Sequence, residues 1–372
     1  MKKNYLFAFL SVLLLSFAVI SCGGDDDGDD SGGGGNGGAP AGDLKAGQVQ
    51  IKGYANSNSK KITFYATAKK LVIDWGDEQK EEIVPNGVGR TFSHEYENVT
   101  NFQTISINTE DLIEIGFGKN YYNDYDGDIY ELRLGNCPKL KTIGLNYSSS
   151  SSYVPKLTVF EINRAESLEY LEIRGTDLTE LILNGCINLV ELTCYGNDKL
   201  TSLDVSGCTK LVNLTCGITI PDGLDSNIGN NLTSLDVSKC TKLEYLDCSD
   251  NQLTSLDVSK CTKLESLSCR GNQLTSLDVS VCINLKSLDC GNSYYGPRYY
   301  NKLTSLDVSK CTKLTNVNCR GNQLSATALN SLFASLPVPA VTNARIYYGD
   351  NPGTESCNTS IATNKGWYVN NW

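Results

Sequence analysis

Among 372 residues there is one histidine, one methionine, three tryptophans and nine prolines. A single histidine excludes His-rich metal sites and leaves His94 as the only imidazole a catalytic triad could use. The 32 basic residues, set against 42 acids, form no cluster dense enough to recruit a phosphate backbone, so nucleic acid is not an expected partner. No nucleophile elbow, phosphate-cradling loop or paired acid site stands out, which argues against an enzyme and against a cofactor. Long apolar runs are also missing, with one exception. Tyr5 to Ile20 is apolar, yet too short and wrongly flanked to span a membrane permanently.

What is abundant is cysteine (15), tyrosine (20) and glycine (34). The apolar run follows Lys2 and Lys3 and ends Val19-Ile20-Ser21-Cys22, which resembles the lipobox of bacterial lipoproteins. The resemblance implies a signal peptide over 1–21, with Cys22 as the lipid attachment point. The acids Asp25, Asp26, Asp27, Asp29 and Asp30 follow directly and are similar to the surface-export tag of Bacteroides-type lipoproteins. The resemblance implies a chain at the outer membrane, lipid-anchored and exposed at the cell surface. Residues 22–45 are Gly- and Asp-rich and cannot bury a core, so they read as a flexible tether.

One period dominates the rest. Leu253 opens LTSLDVSKCTKLESLSCRGNQ, and Leu274 opens nearly the same string 21 residues later. Apolar residues fall at offsets 0, 3, 5, 8, 11, 14 and 16, with Asn at 19; in this copy the last three are Leu267, Cys269 and Asn272. Units also start at Ile129, Leu157, Leu178, Leu200, Leu232, Leu274 and Leu303, and a fainter one near Asn101 brings the total to about nine coils. The half-unit LxxLxCxxNxL resembles the strand segment of leucine-rich repeats, most closely the internalin type. Alternation of Leu-x-Cys turns those side chains to one face of a strand, and stacked coils bury that face as a continuous core. The Asn is expected to hydrogen-bond backbone at the bend. The first half, LxxLxVxxC, mirrors the second, so both walls are expected to be extended. The fold class is therefore a β-rich leucine-rich-repeat solenoid with little helix, over 111–324.

The cysteines pair eight apart: Cys186/Cys194, Cys208/Cys216, Cys240/Cys248, Cys261/Cys269, Cys282/Cys290 and Cys311/Cys319. The unit at Leu157 carries Ala165 and Ile173 at those offsets, which favours small core hydrophobes over metal ligands. A disulfide between stacked coils remains an alternative at this spacing.

Residues 46–110 differ in kind, with strand-like alternation in KITFYATAKKLVIDWGDEQKEEIV and TFSHEYENVTNFQTISI. Asp74-Trp75-Gly76-Asp77 with His94-Glu95-Tyr96 resembles the WGDG…HxY signature of PKD-like domains, a small β-sandwich. Glu78 stands where that signature has glycine. The resemblance makes His94 structural. At the other end, 325–372 reads as a cap: Ser325 as N-cap, an apolar face of Leu329, Leu332, Phe333 and Leu336, a stop at Pro337, then one or two closing strands. Its GDNPGTESCNTSIATNKGW is similar to the terminal cap of Bacteroides leucine-rich-repeat proteins.

The string TSLDVSxCTK scarcely changes between copies, whereas offsets 13 and 15 vary, from Tyr170/Glu172 through Tyr245/Asp247 to Asn316/Asn318. Four units are lengthened, all after offset 16, at about 118–128, 146–156, 217–231 and 291–302. Three of these insertions carry tyrosine: Tyr121, Tyr122 and Tyr125; Tyr147 and Tyr153; Tyr294, Tyr295, Tyr299 and Tyr300 beside Arg298. Exposed Tyr with Arg is the composition of binding hot spots, and insertions on one side mark a binding edge. With Tyr170 and Tyr245 on the strand face, these residues form the expected ligand-contacting set, for a protein or glycan bound by a monomer. The alternatives are loops that pack down over the solenoid, and a spacer protein with no ligand. Asp124-x-Asp126-Gly-Asp128 has alternating carboxylates suited to calcium but lacks the later Glu of a full loop, so no metal is expected.

Overall fold

The computed structural model describes residues 44–54, 61–97, 103–118, 128–146, 157–162, 164–183, 185–217, 230–292 and 300–371. Six strands come first: β1 Gln48–Tyr54, β2 Lys61–Thr67, β3 Lys70–Asp74, β4 Lys80–Ile83, β5 Arg90–Glu95 and β6 Gln103–Glu110. Their alternation buries Ile51, Ile62, Phe64, Leu71, Ile73, Ile105 and Ile107 between two antiparallel layers, β4-β3-β6-β1 and β5-β2. Trp75 is fully buried, stacked on His94 at 4.9 Å. Tyr96 donates to the Trp75 carbonyl at 3.0 Å, and His94 Nε2 sits 2.7 Å from Asp77 Oδ2. These contacts close the turn between β3 and β4.

Both layers run on into the repeats. The next strands are β7 Glu114–Gly118, β8 Asp128–Leu134, β9 Thr142–Asn146, β10 Val159–Ile162 and β11 Tyr170–Arg174. β2 pairs antiparallel with β7, and β1 with β8, so the first coil is stitched to the N-terminal strands along both walls. A chain-level boundary near 110 therefore does not separate the sheets. The pairing also covers strand edges that would otherwise be open at the start of the stack.

Beyond β11 the strands shorten to three residues: β12 Glu191–Thr193, β13 Asn213–Thr215, β14 Tyr245–Asp247, β15 Ser266–Ser268, β16 Ser287–Asp289 and β17 Asn316–Asn318. Then come helix α1 Ala326–Ser335, strand β18 Arg345–Tyr347, helix α2 Ser360–Thr363 and strand β19 Tyr368–Asn370. Strands β7, β9 and β11 to β19, leaving out β10, form one parallel array without register slip, nine strands from repeat units and two from the C-terminal segment. This is a leucine-rich-repeat solenoid. Ser325 Oγ accepts from the Ala328 N–H, and Leu329, Leu332 and Phe333 close the end of the core. Among the described residues, no helix is long and apolar enough to cross a membrane.

The second wall departs from the expectation of two extended walls. Among the described residues, its coils form a ladder with one another only between β8 and β10. Further along, one isolated bridge, Asp204 to Asp236, and roughly one backbone bond per coil (Gln273 N to Leu253 O, 2.8 Å) remain. The cause is the sequence Asp-Val-Ser. Oδ1 of Asp204, Asp236, Asp257, Asp278 and Asp307 each accepts the N–H of the Ser two residues on, at 2.8 Å. Local side-chain bonds of this kind turn the backbone away from a ladder. A turn from the Val carbonyl to the Cys N–H follows at once, 2.9 Å in the coil of Val258 and Cys261. The Ser bonds hold Asp236, Asp257 and Asp278 below the usual carboxylate range. Thus TSLDVSxCTK is constant because most of its positions have structural duties.

Glu78 has φ +72°, the left-handed region in which a Cβ costs roughly 1–2 kcal/mol. Glycine gives back part of that through unfolded-chain entropy. Glu78→Gly should raise stability in urea unfolding by about 0.5–1 kcal/mol. A loss would show that the Glu side chain makes a compensating contact.

Candidate binding face

The outward positions of β11 to β19 form two rows in register. The first runs Tyr170, Glu191, Asn213, Tyr245, Ser266, Ser287, Asn316, Arg345, Tyr368, and the second Glu172, Thr193, Thr215, Asp247, Ser268, Asp289, Asn318, Tyr347, Asn370. These are the copy-to-copy variable offsets, continued by the two C-terminal strands. Tyr170 is 42% exposed and Tyr245 half-buried. Three strand spacings separate them, roughly 14 Å, so they share a row without touching.

The corner after each strand from β12 to β18 is built by a buried asparagine. Asn272 Nδ2 donates to the Cys269 carbonyl of its own coil (3.1 Å) and to the Cys248 carbonyl of the coil before (2.9 Å). Its Oδ1 accepts the Leu253 N–H at 3.0 Å. Asn251, Asn301, Asn322 and Asn351 repeat the pattern, and Thr176 stands in the equivalent place in the coil of Leu157. The last two insertions lie between the strand-end cysteine and this amide. After Gly217 the chain rejoins the ladder at Asn230, and after Asn292 at Asn301. The first two leave from the ends of β7 and β9. All four strands concerned run parallel, so every insertion departs from the same edge of one sheet.

Of the expected contact residues, the structure describes Tyr170, Tyr245 and Tyr300. Tyr300 is 46% exposed, immediately before the ladder residue Asn301. Tyr121, Tyr122, Tyr125, Tyr147, Tyr153, Tyr294, Tyr295, Arg298, Tyr299 and Cys22 lie outside the described residues, as do Asp124 and Asp126.

Sequence reasoning placed Glu172 and Asp247 on the variable face but missed the charged groups they form beside this edge. Arg174 pairs with Glu172, bonds the Tyr195 hydroxyl and lies 5.2 Å from that ring's centre. Burial raises the Glu172 pKa against the pull of Arg174. A second group joins Asp247, Asp250, Arg270 and Asp289 across three coils, with Arg270 Nε 3.4 Å from Asp250 Oδ2. Offsets 17 and 18, which supply Arg174, Tyr195, Asp250 and Arg270, also differ between copies, and that was the available signal.

Two other candidate chemistries resolve differently. His94 is a packing residue of the N-terminal layers, held by Asp77, Trp75 and Tyr96. The twelve paired cysteines are all free and buried, and among the described residues no group of three His, Cys, Asp or Glu is placed to hold a metal. Their thiols lie against carbonyls of neighbouring coils, such as Cys290 Sγ to Asn318 O at 3.4 Å and Cys311 Sγ to Val279 O at 3.4 Å. Burial pushes Cys261 up to about 11 and Cys240 to about 12.

No family model and no curated protein matches the chain. Among solved structures, the functional domain of InlJ from Listeria monocytogenes, which includes a cysteine ladder, is similar at 25% identity and a TM-score of 0.34. The match covers 63% of this chain and 55% of that one, so the chain spans about half of that domain's length. The leucine-rich repeat domain of APL1B is similar at 15% identity and a TM-score of 0.31, over 62% of this chain and 74% of that one.

Because the nucleophile is the thiolate, these cysteines should be inert while the chain is folded. Titration with a thiol reagent at pH 8 should label none of the twelve in native protein and all of them in denaturant. Rapid native labelling of any would show that the ladder is open to solvent.

Proposed function

We propose that the chain is a lipid-anchored surface binding protein, an adhesin or receptor-like molecule that captures a protein or glycan through the outward strand face and the edge beside it. One observation carries the reading: every insertion leaves from a single edge of a continuous sheet, next to the rows whose residues change from copy to copy. The opposite wall of the coils from Leu200 onward is nearly constant and occupied with folding. Binding sites concentrate on variable segments held by a rigid scaffold. Tyrosine, rich in those segments, offers a large rigid ring with a polar tip, suited to a protein surface or a sugar ring.

In this reading Cys22 carries the lipid, residues 22–45 hold the repeats away from the outer membrane, and residues 46–110, PKD-like in their Trp75, Asp77, His94 and Tyr96, support the base of the stack. The protein acts as a monomer, without catalysis or cofactor. A spacer role is the second reading. It is favoured by the small polar residues Ser266, Ser268, Ser287, Asn316 and Asn318 along the middle of the face, where no large anchor projects.

The purified ectodomain, screened on glycan and protein arrays, should retain a discrete class of ligand. Replacing Tyr294, Tyr295, Tyr299 and Tyr300 with Ser should abolish capture and leave the melting temperature nearly unchanged. Unaltered capture would remove the edge from the account, and a lower melting temperature would assign those rings to packing instead.

A further inference from the structure

The charged group at the edge carries more. Asp247 closes β14, Asp250 lies in the turn beyond it, Arg270 occupies the corner of the next coil, and Asp289 closes β16 in the coil after that. Asp247, Asp250 and Arg270 are buried and Asp289 is half-buried, so three carboxylates share one guanidinium with little water to screen the surplus. Two of the carboxylates also hold the places where the chain leaves the coil. Asp247 Oδ1 accepts the Ser249 N–H (3.0 Å) and hydroxyl (2.6 Å), and it packs so closely on Gly217 that a Cβ there would lie 2.7 Å away. Asp289 Oδ1 accepts the Gly291 N–H at 3.1 Å. Segments 218–229 and 293–299 follow those two roots.

We propose that this group is a proton-operated clamp: one proton taken up by Asp289 relieves the surplus charge and tightens three coils at the corner that roots two edge segments. Its bearing on ligand capture rests on the reading of that edge as the binding side, whereas the clamp itself does not. Arg270 attracts the Asp289 carboxylate, and Asp247 and Asp250 repel it. Ser268 and Asn318, its in-register neighbours, are uncharged. On the core side, the thiols of Cys269, Cys290 and Cys319 have raised pKa values and stay neutral. Burial pushes Asp289 up to about 6, against Arg270 and the Gly291 N–H. A folded-state value above the unfolded one means stabilisation that is complete below about pH 4 and lost as pH rises through about 6.

The test is urea unfolding of the purified chain and of Asp289→Asn at pH 4.5 and 7.5, with hydrogen exchange of the segment around Gly291. Asn keeps the Oδ1 acceptor and cannot ionise. The ratio of the unaltered chain's unfolding constant to the variant's should be roughly tenfold or more larger at pH 7.5 than at pH 4.5. Exchange around Gly291, corrected for its intrinsic rate, should rise with pH in the unaltered chain and stay level in the variant. A variant that follows the unaltered chain at both pH values, or is equally destabilised at both, overturns the clamp. No ligand is used, so that failure would leave the binding reading untouched, and a failed array screen would leave the clamp untouched.

Discussion

A carboxamide inside the stack determines what each coil is permitted to do. The chain must turn out of its strand at a corner buried between neighbouring coils, where carbonyl and N–H groups have no water to meet. Asn272 satisfies both sides of that corner, donating to the carbonyls of Cys269 and Cys248 and accepting from Leu253. Unmade bonds there would cost roughly 1–3 kcal/mol per group. Leucines and cysteines fill the interior, but the amide sets the pitch at which they stack.

From this the distribution of variation follows. Extra residues are tolerated where they do not displace the amide from its partners. The structure shows two insertions ending in a ladder residue, Asn230 and Asn301, each bonded to cysteine carbonyls as if no residues had been added. The opposite turn has no such freedom, because the Asp-to-Ser bonds and the Val-to-Cys turn use every residue between two buried positions. One edge is thus left free to grow, and it borders the strand rows where substitution is cheap. Scaffold and proposed binding side are separated by hydrogen bonding before any ligand enters.

The repeat was legible because packing here is periodic. A residue type that recurs at a fixed offset has a fixed environment, so inward leucines, buried thiols and the corner amide could be placed from the letters alone. Legibility failed where pairing is non-local or a residue occurs once. Alternation marks β2 as a strand but does not say that it joins β7, and β1 was not singled out, so the seam between the N-terminal layers and the repeats was not foreseen. Asp-Val-Ser was read as part of an extended wall, although an Asp two residues before a Ser is itself a turn signal. The grouping of Arg270 with Asp289 was not foreseen, since a single copy does not reveal which outward groups meet across three coils.

The role of the amide can be measured by one substitution. Asn272→Asp keeps the shape and the acceptor but removes both donors and sets a carboxylate against the carbonyls of Cys248 and Cys269. Urea unfolding at pH 7 should show a loss of about 3 kcal/mol or more. A variant as stable as the parent, to within about 0.5 kcal/mol, would mean that the coils stack by hydrophobic burial alone and that the corner amide is incidental.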